Sequence, residues 1–599
     1  MAVLALYPQL TLWRERGRAW AGAYAATYSD EPFYAAYANA LRDGRPRRND
    51  PYTGRDDAPG ASQPESLFSV QFAGGYAVAL PARALGLSTS TAFILLAPLA
   101  AFASSLALFW LLRLVTRDDW FAAACVPVVL CAGVLVQFQG AIRSLTGTQP
   151  VYTYLPFLRR YLPAIAFPLL FVFCACVWRA LEGEGRRARL AWAAGAGAAF
   201  AVLVYSYFYL WTAALAWLAC LALLQLLARG RDAGRDLCAL AVTAAVGAAS
   251  LAPYFALVSR RAADTDAAQA LARTHAPDLL RRPELLAVSI LIALGALARR
   301  GRVDWRGRAA LFAGAFALTP FVVSNQQIVT GRSLQPYHYD LYAANYSALV
   351  AAVLVAWLAW RGRASSAGAV SCSPRARKIL SAAAVTALGW GLVESHVETR
   401  RLAGFNRRRD EAHAAALRLS RLARDDERAG PAGTVTGRAA PPVALWADLP
   451  RADEVPGAAS NVSLLWAMQM YSSAAVPLAE NKGRLFAQLH LTGVTPERFA
   501  ALAAADVGFR HYLFGWARVN PRLSAVWRPV TQDELRAETD AYARFAAVFD
   551  REEAARAALS YVVVRAEGAP DLSRLERFYE RDAGERAGAY TIYRVRLRG

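Results

Sequence analysis

"STAFILLAPLAAFASSLALFWLLRLV" (residues 90–115) decides the fold class of this chain. It is a run of 26 mostly apolar residues whose single charged side chain, Arg113, stands near its end. At about 1.5 Å per residue a helix of this length is roughly 39 Å long, which exceeds the roughly 30 Å hydrocarbon core of a bilayer. The run therefore predicts a transmembrane helix.

Comparable apolar runs recur through the first 400 residues. They lie at 120–138, 162–180, 190–208, 209–228, 236–257, 284–299, 309–323, 344–361 and 379–395. A shorter run at 2–13 covers about half a bilayer and has neither a basic n-region nor a small-residue cleavage site, so we expect it to complete a span that begins upstream. With 56% hydrophobic residues, the chain is predicted to be a polytopic α-helical membrane protein of about 11 transmembrane helices.

The net charge of +21 does not indicate a nucleic-acid-binding protein. All basic residues except Lys378 and Lys482 are arginines, and most arginines lie in short loops between apolar runs, where they orient a membrane protein. The seven cysteines give no disulfide framework, and Cys174 and Cys176 have no partners at metal-ligand spacing. No ligand cluster indicates a metal, although a divalent cofactor stays open as an alternative.

Four strongly basic loops fall on the same side when the spans are counted. They are 182–189, 229–235, 300–308 and 361–378. The positive-inside rule makes that side cytoplasmic. The outer side then holds 14–89, 139–161, 258–283, 324–340 and everything after about 396. Loop 258–283 disagrees mildly, because it carries five arginines.

The last third of the chain has a different character. We predict a transmembrane domain at 1–398 with a large first outer loop at 14–89, an amphipathic helix and linker at 399–440, and an extracytoplasmic α/β domain at 441–599. Strands are predicted at 443–447, 561–566 and 590–597. Helices are predicted to begin at Thr495–Pro496 and at Thr531, where Glu534 completes a capping box.

The polar residues gather in the outer loops rather than inside the spans. No Asp or Glu lies well inside a predicted span, which argues against an ion-coupled carrier. Polar loops at the depth of lipid headgroups favour a substrate that is itself a lipid phosphate.

"DEPFYAAYANALRDGRP" (30–46) resembles the first outer loop of the GT-C membrane glycosyltransferases, in the branch of the aminoarabinose lipid A transferases and the protein O-mannosyltransferase-like proteins. Asp30, Glu31, Tyr34 and Gly44 match its pattern. The segment 63–86 departs from it, because it lacks the usual second proline and the basic or His residue. The resemblance implies a GT-C fold, a polyprenyl-phosphate-linked sugar donor, membrane-lipid partners and a cell-envelope acceptor. Together with the Arg and Ala bias it implies a multi-pass protein of a bacterial inner membrane.

Transfer of a sugar to a hydroxyl requires a general base, and the resemblance places it at Asp30 and Glu31. The alternative is that these acids only cap the following helix. The leaving lipid phosphate needs cationic donors. Candidate substrate-binding residues are Tyr34, Arg143, Arg159, Arg160, Gln326, Gln327, Arg332 and His338.

Several of these substrate-binding candidates have a simpler alternative. His338 could belong to an interfacial aromatic belt, Arg159 and Arg160 could anchor headgroups, and Gln326 and Gln327 could merely end a span. Two other functions stay open for the whole chain. One is a non-enzymatic carrier or assembly component for envelope polymers, and the other is a degenerate GT-C scaffold that binds its lipid without transfer.

Overall fold

Helices dominate the computed structural model of this chain, which describes residues 1–148, 154–228, 232–269, 271–361, 373–429, 441–473, 475–521 and 527–599. Seven helices in these ranges are long and apolar enough to cross a membrane. They are Thr89–Thr116, Arg186–Ser206, Phe208–Ala228, Ala233–Val258, Arg308–Thr330, Pro336–Arg361 and Pro374–Ala429. The predicted class, a polytopic α-helical membrane protein with a C-terminal α/β region, is confirmed.

Three further predicted spans coincide with helices Asp119–Ala132, Ala166–Glu182 and Arg282–Arg299. The total of about 11 spans stays a prediction. Other helices are Ala2–Arg16, Glu31–Arg42, Leu67–Val70, Phe72–Ala84, Ala141–Leu145, Thr265–Ala268, Leu449–Ala452, Gln469–Ser473, Leu478–Leu491, Pro496–Ala505, Val507–Phe514, Trp516–Val519, Gln532–Val548, Arg551–Ala557 and Ser573–Glu576.

Small residues let the apolar helices approach closely. A Cβ built on Gly197 would lie 2.5 Å from the Cβ of Val246, and one on Gly247 would lie 2.8 Å from the ring of Phe200. Larger side chains at these two glycines would push the helices apart. Since lipid is as apolar as these helices, close packing is what holds them together.

The described chain divides into two compact units. The first comprises Met1–Thr11, Ile94–Ala256 and Ala272–Leu402, and the second comprises Leu12–Phe93, Leu257–Leu271 and Ala403–Gly599. The first outer loop therefore groups with the C-terminal residues, a grouping that the predicted domain boundaries did not contain.

One helix, Pro374–Ala429, runs without interruption for 56 residues. It joins the predicted span at 379–395 to the predicted amphipathic helix, so no break separates them. In its second half, buried small and apolar residues recur at helical spacing, which is the pattern of an amphipathic helix. They are Ala412, Ala415, Ala416, Leu419, Leu422 and Ala423. Most of the predicted linker, 430–440, lies outside the described residues.

The C-terminal region holds one mixed sheet. Its strands are β1 (Val443–Trp446), β2 (Ser463–Leu464), β3 (Leu559–Arg565), β4 (Tyr579–Arg581), β5 (Glu585–Ala587) and β6 (Tyr590–Leu597). The order is β2-β1-β3-β6-β4, with β5 also paired to β6. β1 is parallel to β2 and β3, whereas β3 and β6 are antiparallel.

All three predicted strands and both predicted helix starts are confirmed. The predicted strands correspond to β1, β3 and β6. Thr495 accepts a hydrogen bond from the backbone N–H of Arg498, and Thr531 forms the predicted capping box with Glu534. Alternate residues of the strands, among them Leu445, Val562 and Val564, enter one apolar core.

Candidate functional site

Asp30 stands immediately before helix Glu31–Arg42 in the second unit. It occupies the N-cap position, yet its side chain makes no capping hydrogen bond. Pro32, the second residue of the helix, lacks the backbone N–H that a cap would otherwise satisfy. The capping alternative thus finds no supporting hydrogen bond at Asp30, whose side chain is half-buried.

Glu31 and Tyr34 have a different environment from Asp30. Glu31 is 0% exposed and accepts a hydrogen bond of 3.0 Å from the Thr27 hydroxyl. Tyr34 is buried and its ring lies 5.6 Å from that of Phe68, centroid to centroid. Of the two acids in the motif, only Asp30 is within reach of solvent.

The backbone leading to Asp30 is held by polar side chains of the long helix Pro374–Ala429. Asn406 bonds both backbone groups of Ala26, accepting at 2.9 Å and donating at 3.0 Å. Asp410 accepts from the backbone N–H groups of Ala21 and Ala23 at 3.0 Å and 3.2 Å. These bonds fix the segment on which Asp30 stands.

Asp453 is a second acid in this site. It is 6% exposed and accepts a 3.0 Å hydrogen bond from the backbone N–H of Gln469. Burial raises the pKa of Asp453 to about 7, with smaller contributions from the negative charges of Glu454 and Asp30 and against the hydrogen bond from Gln469. Asp30 is therefore close enough to influence the Asp453 carboxyl.

A buried arginine balances the acids. Arg409 is 2% exposed and forms a bidentate ion pair with the Glu454 carboxylate, with hydrogen bonds of 2.5 Å and 2.8 Å. It also donates to the Tyr24 carbonyl at 3.0 Å, and its guanidinium lies 4.4 Å from the centre of the Tyr24 ring. Such a pair is favourable in a buried site only with this geometry.

Sequence reasoning missed Arg409, Asp453 and Glu454. A signal was present for Arg409, because it lies three and seven residues before Ala412 and Ala416 and so falls on the buried face of the amphipathic helix. Nothing comparable marks Asp453 and Glu454, which lie in the short segment after β1. We call Asp30, Glu31, Arg409, Asp453 and Glu454 the acid site.

In the first unit the structure brings two predicted residues, Arg159 and His338, to one aromatic ring. Arg159 is 3% exposed, donates to the hydroxyl of Tyr207 at 3.0 Å and to the carbonyl of Leu162 at 2.7 Å, and lies 5.0 Å from the centre of the Tyr342 ring. These contacts fix the plane of the guanidinium.

His338 is stacked between two tyrosines. Its ring lies 4.7 Å from that of Tyr209 and 6.0 Å from that of Tyr342, with interplanar angles of 20° and 26°. Its buried Nδ1 has no hydrogen-bond partner among the described residues. We call Arg159, Tyr207, Tyr209, His338 and Tyr342 the arginine–tyrosine cluster.

Two rings of this cluster bear on the alternative of an interfacial aromatic belt. Tyr207 is 4% exposed and Tyr342 is 0% exposed, so these two rings are interior rather than part of such a belt.

The other predicted binding residues have local roles. The amide of Gln326 donates to the Arg332 carbonyl at 2.8 Å, and that of Gln327 donates to the Ala276 carbonyl at 3.2 Å. Arg143 donates to the Thr148 hydroxyl at 3.0 Å. Arg160 is 2% exposed, whereas Arg332 is exposed.

Buried acids on helices of the first unit were also missed. Glu394 and Glu398 are each 1% exposed, and Glu394 accepts from the backbone N–H of Ala141 at 2.9 Å. Asp340 is 3% exposed and pairs with Arg281 at 2.6 Å. Within the ranges described, no three His, Cys, Asp or Glu side chains are grouped as metal ligands.

No protein-family model and no curated protein matches the chain. Among solved structures it is similar to ArnT from Cupriavidus metallidurans in the apo state, with 16% identity over 99% of this chain and 97% of that one and a TM-score of 0.40. It is also similar to the Archaeoglobus fulgidus oligosaccharyltransferase in the apo form, with 12% identity over 97% and 72% of the two chains and a TM-score of 0.43.

A third similar structure is the archaeal oligosaccharyltransferase AglB from Archaeoglobus fulgidus in complex with an inhibitory peptide and a dolichol-phosphate. The identity is 12% over 97% of this chain and 72% of that one, and the TM-score is 0.42.

Proposed function

We propose that this chain is an integral membrane glycosyltransferase that moves a sugar from a polyprenyl-phosphate-linked donor to a cell-envelope acceptor. The observation that carries the proposal is the burial and hydrogen bonding of the Asp30 side chain. Its carboxylate is half-buried and does not cap its helix, while the neighbouring Glu31 is completely buried and bonded to Thr27. An acid held on a fixed backbone with access to solvent suits proton transfer.

In the proposed reaction Asp30 is the general base. As the acceptor oxygen attacks the anomeric carbon of the donor sugar, its proton passes to an Asp30 carboxylate oxygen. The bond between the anomeric carbon and the phosphate oxygen breaks, and the electron pair leaves with the polyprenyl phosphate. The pKa of Asp453, whose charge interacts with that of Asp30, is raised to about 7, so near neutral pH part of the population holds a proton on Asp453, which lessens repulsion between the two carboxyls.

The arginine–tyrosine cluster is the proposed binder of the leaving phosphate. Arg159 is buried and oriented by a phenol, a carbonyl and a ring face, which pre-organises its planar fork. His338 adds a ring nitrogen that can donate a hydrogen bond to a phosphate oxygen. These donors contact the phosphate in the bound donor as well as in the leaving group, so they contribute to donor affinity more than to the chemical step.

We further propose a bacterial inner-membrane location with the C-terminal region outside the cytoplasm. The arginines of loop 258–283 had weighed against this orientation, but several have local partners. Arg261 lies 3.5 Å from Asp266, Arg281 pairs with Asp340, and Arg282 lies 5.2 Å from the centre of the Phe138 ring. A phosphatase fused to the C-terminus should be active, and a reporter that needs the cytoplasm should be silent there.

The decisive experiment is transfer of a radiolabelled sugar from lipid-linked donors in membranes that contain the parent chain or Asp30→Asn at equal amounts. The proposal expects transfer with the parent and a loss of about 10²- to 10⁴-fold in the variant. Mass spectrometry of lipids that copurify with both proteins identifies the donor. A parent protein that retains a lipid-linked sugar but transfers none of it would be the degenerate scaffold instead.

A further inference from the structure

Two loops of the first unit are joined into one surface. Loop 272–281 precedes helix Arg282–Arg299, and segment 326–333 comprises the last turn of the apolar helix Arg308–Thr330 and the residues directly after it. Hydrogen bonds between the two segments include Thr274 N–H to the Gly331 carbonyl at 3.1 Å and Ser333 N–H to the Ala272 carbonyl at 2.8 Å. His275 Nδ1 also contacts the Ile328 carbonyl oxygen at 3.0 Å, and the Gln327 amide donates to the Ala276 carbonyl at 3.2 Å. We call these segments the loop pair. Both segments adjoin the ends of apolar helices, and the ends of membrane-spanning helices are close to the lipid headgroups.

Two arginines stand directly opposite each other in the loop pair. Arg273 and Arg332 form an isolated antiparallel β-bridge, and both are exposed. Residues opposite each other in such a bridge project to the same face with Cβ atoms about 5 Å apart. Like charges at this spacing repel each other, whereas an anion with several oxygens can bind both guanidinium groups at once.

The same loops expose large apolar side chains. Val329 is 87% exposed and Leu280 is 78% exposed, the two highest values among the large apolar residues of the described chain. Leu280 has a φ of +69°, a left-handed conformation that leucine rarely adopts. Its neighbour Leu279 is also exposed, at 60%. Exposed apolar side chains beside arginines are typical of segments that lie in the membrane interface.

We propose that the loop pair is a lipid-surface site. Arg273 and Arg332 bind the phosphodiester of a bilayer phospholipid, and Leu280 and Val329 enter the adjoining acyl region. The site prefers anionic phospholipids, because each arginine near the surface gains from the negative potential. The occupant is a phospholipid of the surrounding bilayer rather than the sugar donor, so the site is independent of the proposed transferase activity.

The test places a spin label at Val329→Cys in the full chain, in a background with Cys238→Ser and Cys372→Ser. The labelled protein is reconstituted in nanodiscs of phosphatidylcholine with and without phosphatidylglycerol. Label depth is measured from its accessibility to oxygen and to a water-soluble nickel complex. The expected label position is about 5 Å or more below the phosphates when phosphatidylglycerol is present. Arg273→Gln with Arg332→Gln should move it to the water and weaken phosphatidylglycerol binding by roughly 30-fold.

Arg299→Gln with Arg300→Gln is the matched control. It removes the same charge at the other end of helix Arg282–Arg299 and should leave the label depth unchanged. Leu280→Gly also tests insertion, since glycine accepts the left-handed backbone while the apolar side chain is lost. It should move the label outward as well.

Three results would overturn the proposal. The first is a parent label in water in both kinds of disc, and the second is a depth that the Arg273/Arg332 double substitution does not change. The third is a label depth that responds to added undecaprenyl phosphate but not to phosphatidylglycerol, which would assign the arginines to the donor lipid.

Discussion

The acid site and the arginine–tyrosine cluster each bury an arginine, but the two arginines have different surroundings. Arg409 forms a bidentate ion pair with the Glu454 carboxylate, so its positive charge is neutralised inside the protein. Among the contacts described, Arg159 is oriented by a phenol, a carbonyl and an aromatic face. Burial alone therefore does not distinguish an arginine of the Arg409 kind from one proposed to bind a phosphate.

The same contrast holds between the two acids of the motif. Glu31 is buried and bonded to Thr27, whereas Asp30 is half-buried on a backbone that other residues fix. We therefore expect Asp30→Asn to have the largest effect on activity, a loss of about 10²- to 10⁴-fold in sugar transfer with retained folding and donor binding. The asparagine keeps the size and can accept hydrogen bonds, but it cannot take a proton at neutral pH.

Glu31→Gln is the matched control for Asp30→Asn. The amide oxygen can still accept the Thr27 hydrogen bond, so transfer should fall much less than in Asp30→Asn. If Glu31→Gln abolishes transfer while Asp30→Asn is active, the base is Glu31. If both variants transfer at the parent rate, the acid site is structural and the enzyme proposal fails.

The second largest predicted effect concerns the contribution of the Arg409–Glu454 pair to the stability of the fold. Glu454→Gln leaves the buried Arg409 charge without its carboxylate, which costs about 3–5 kcal/mol in comparable buried pairs. We expect a large fall in the thermal unfolding midpoint of the purified protein. Arg409→Met combined with Glu454→Met should recover much of the loss, since no unpaired charge remains.

Arg536→Met provides the comparison for the buried pair. Its partner Asp533 is 86% exposed in the side chain, and such surface pairs contribute little. A midpoint for Glu454→Gln as high as that for Arg536→Met would show that the Arg409–Glu454 pair does not support the fold.

The third prediction concerns pH and Asp453. The pKa of Asp453 is raised to about 7 mainly by burial, whereas a free aspartate titrates near 3.9. Between these values the folded protein holds a proton that the unfolded chain has released, so stability decreases as pH rises from about 4 to about 7 and is level above. The decrease from this carboxyl is at most about 4 kcal/mol.

Asp453→Asn should remove this pH dependence, because the amide is neutral throughout while its oxygen can still accept from Gln469. Thermal midpoints between pH 4.5 and 7.5 should therefore fall less in the variant than in the parent. The variant should also be the more stable protein at pH 7.5. An equal slope in both proteins would assign the titration to another group.

The acid site also shows which structural features can be predicted from the sequence alone. Hydropathy located the apolar helices and alternation located the strands, because both signals are local. Asp30 and Glu31 were likewise recognisable from a short motif. Arg409 and Glu454 are 45 residues apart along the chain, and their pairing depends on how distant segments fold together.

The arginine–tyrosine cluster was only partly predictable for a related reason. Arg159 and His338 were selected individually as polar residues in outer loops. Their shared ring belongs to Tyr342, which the sequence places in a run of apolar residues and which carries no signal of its own. Arg332 was selected by the same reasoning, yet the structure leaves it exposed beside Arg273. Residue type identified candidates, but only burial and contacts separate them.

The smallest predicted effect tests whether Arg159 acts by geometry. Arg159→Lys keeps the positive charge but loses the planar fork that reaches the Tyr207 hydroxyl and the Leu162 carbonyl. We expect KM for the lipid-linked donor to rise about 10-fold with a smaller change in kcat, because a phosphate bound by a single hydrogen-bond donor group is held less well.

Arg143→Lys is the matched control. Arg143 donates only to the nearby Thr148 hydroxyl among the contacts described, so the KM of this variant should stay within about two-fold of the parent value. Equal KM values for Arg159→Lys and Arg143→Lys would mean that Arg159 only stabilises the packing of Tyr207 and Tyr342 and that the phosphate is bound elsewhere.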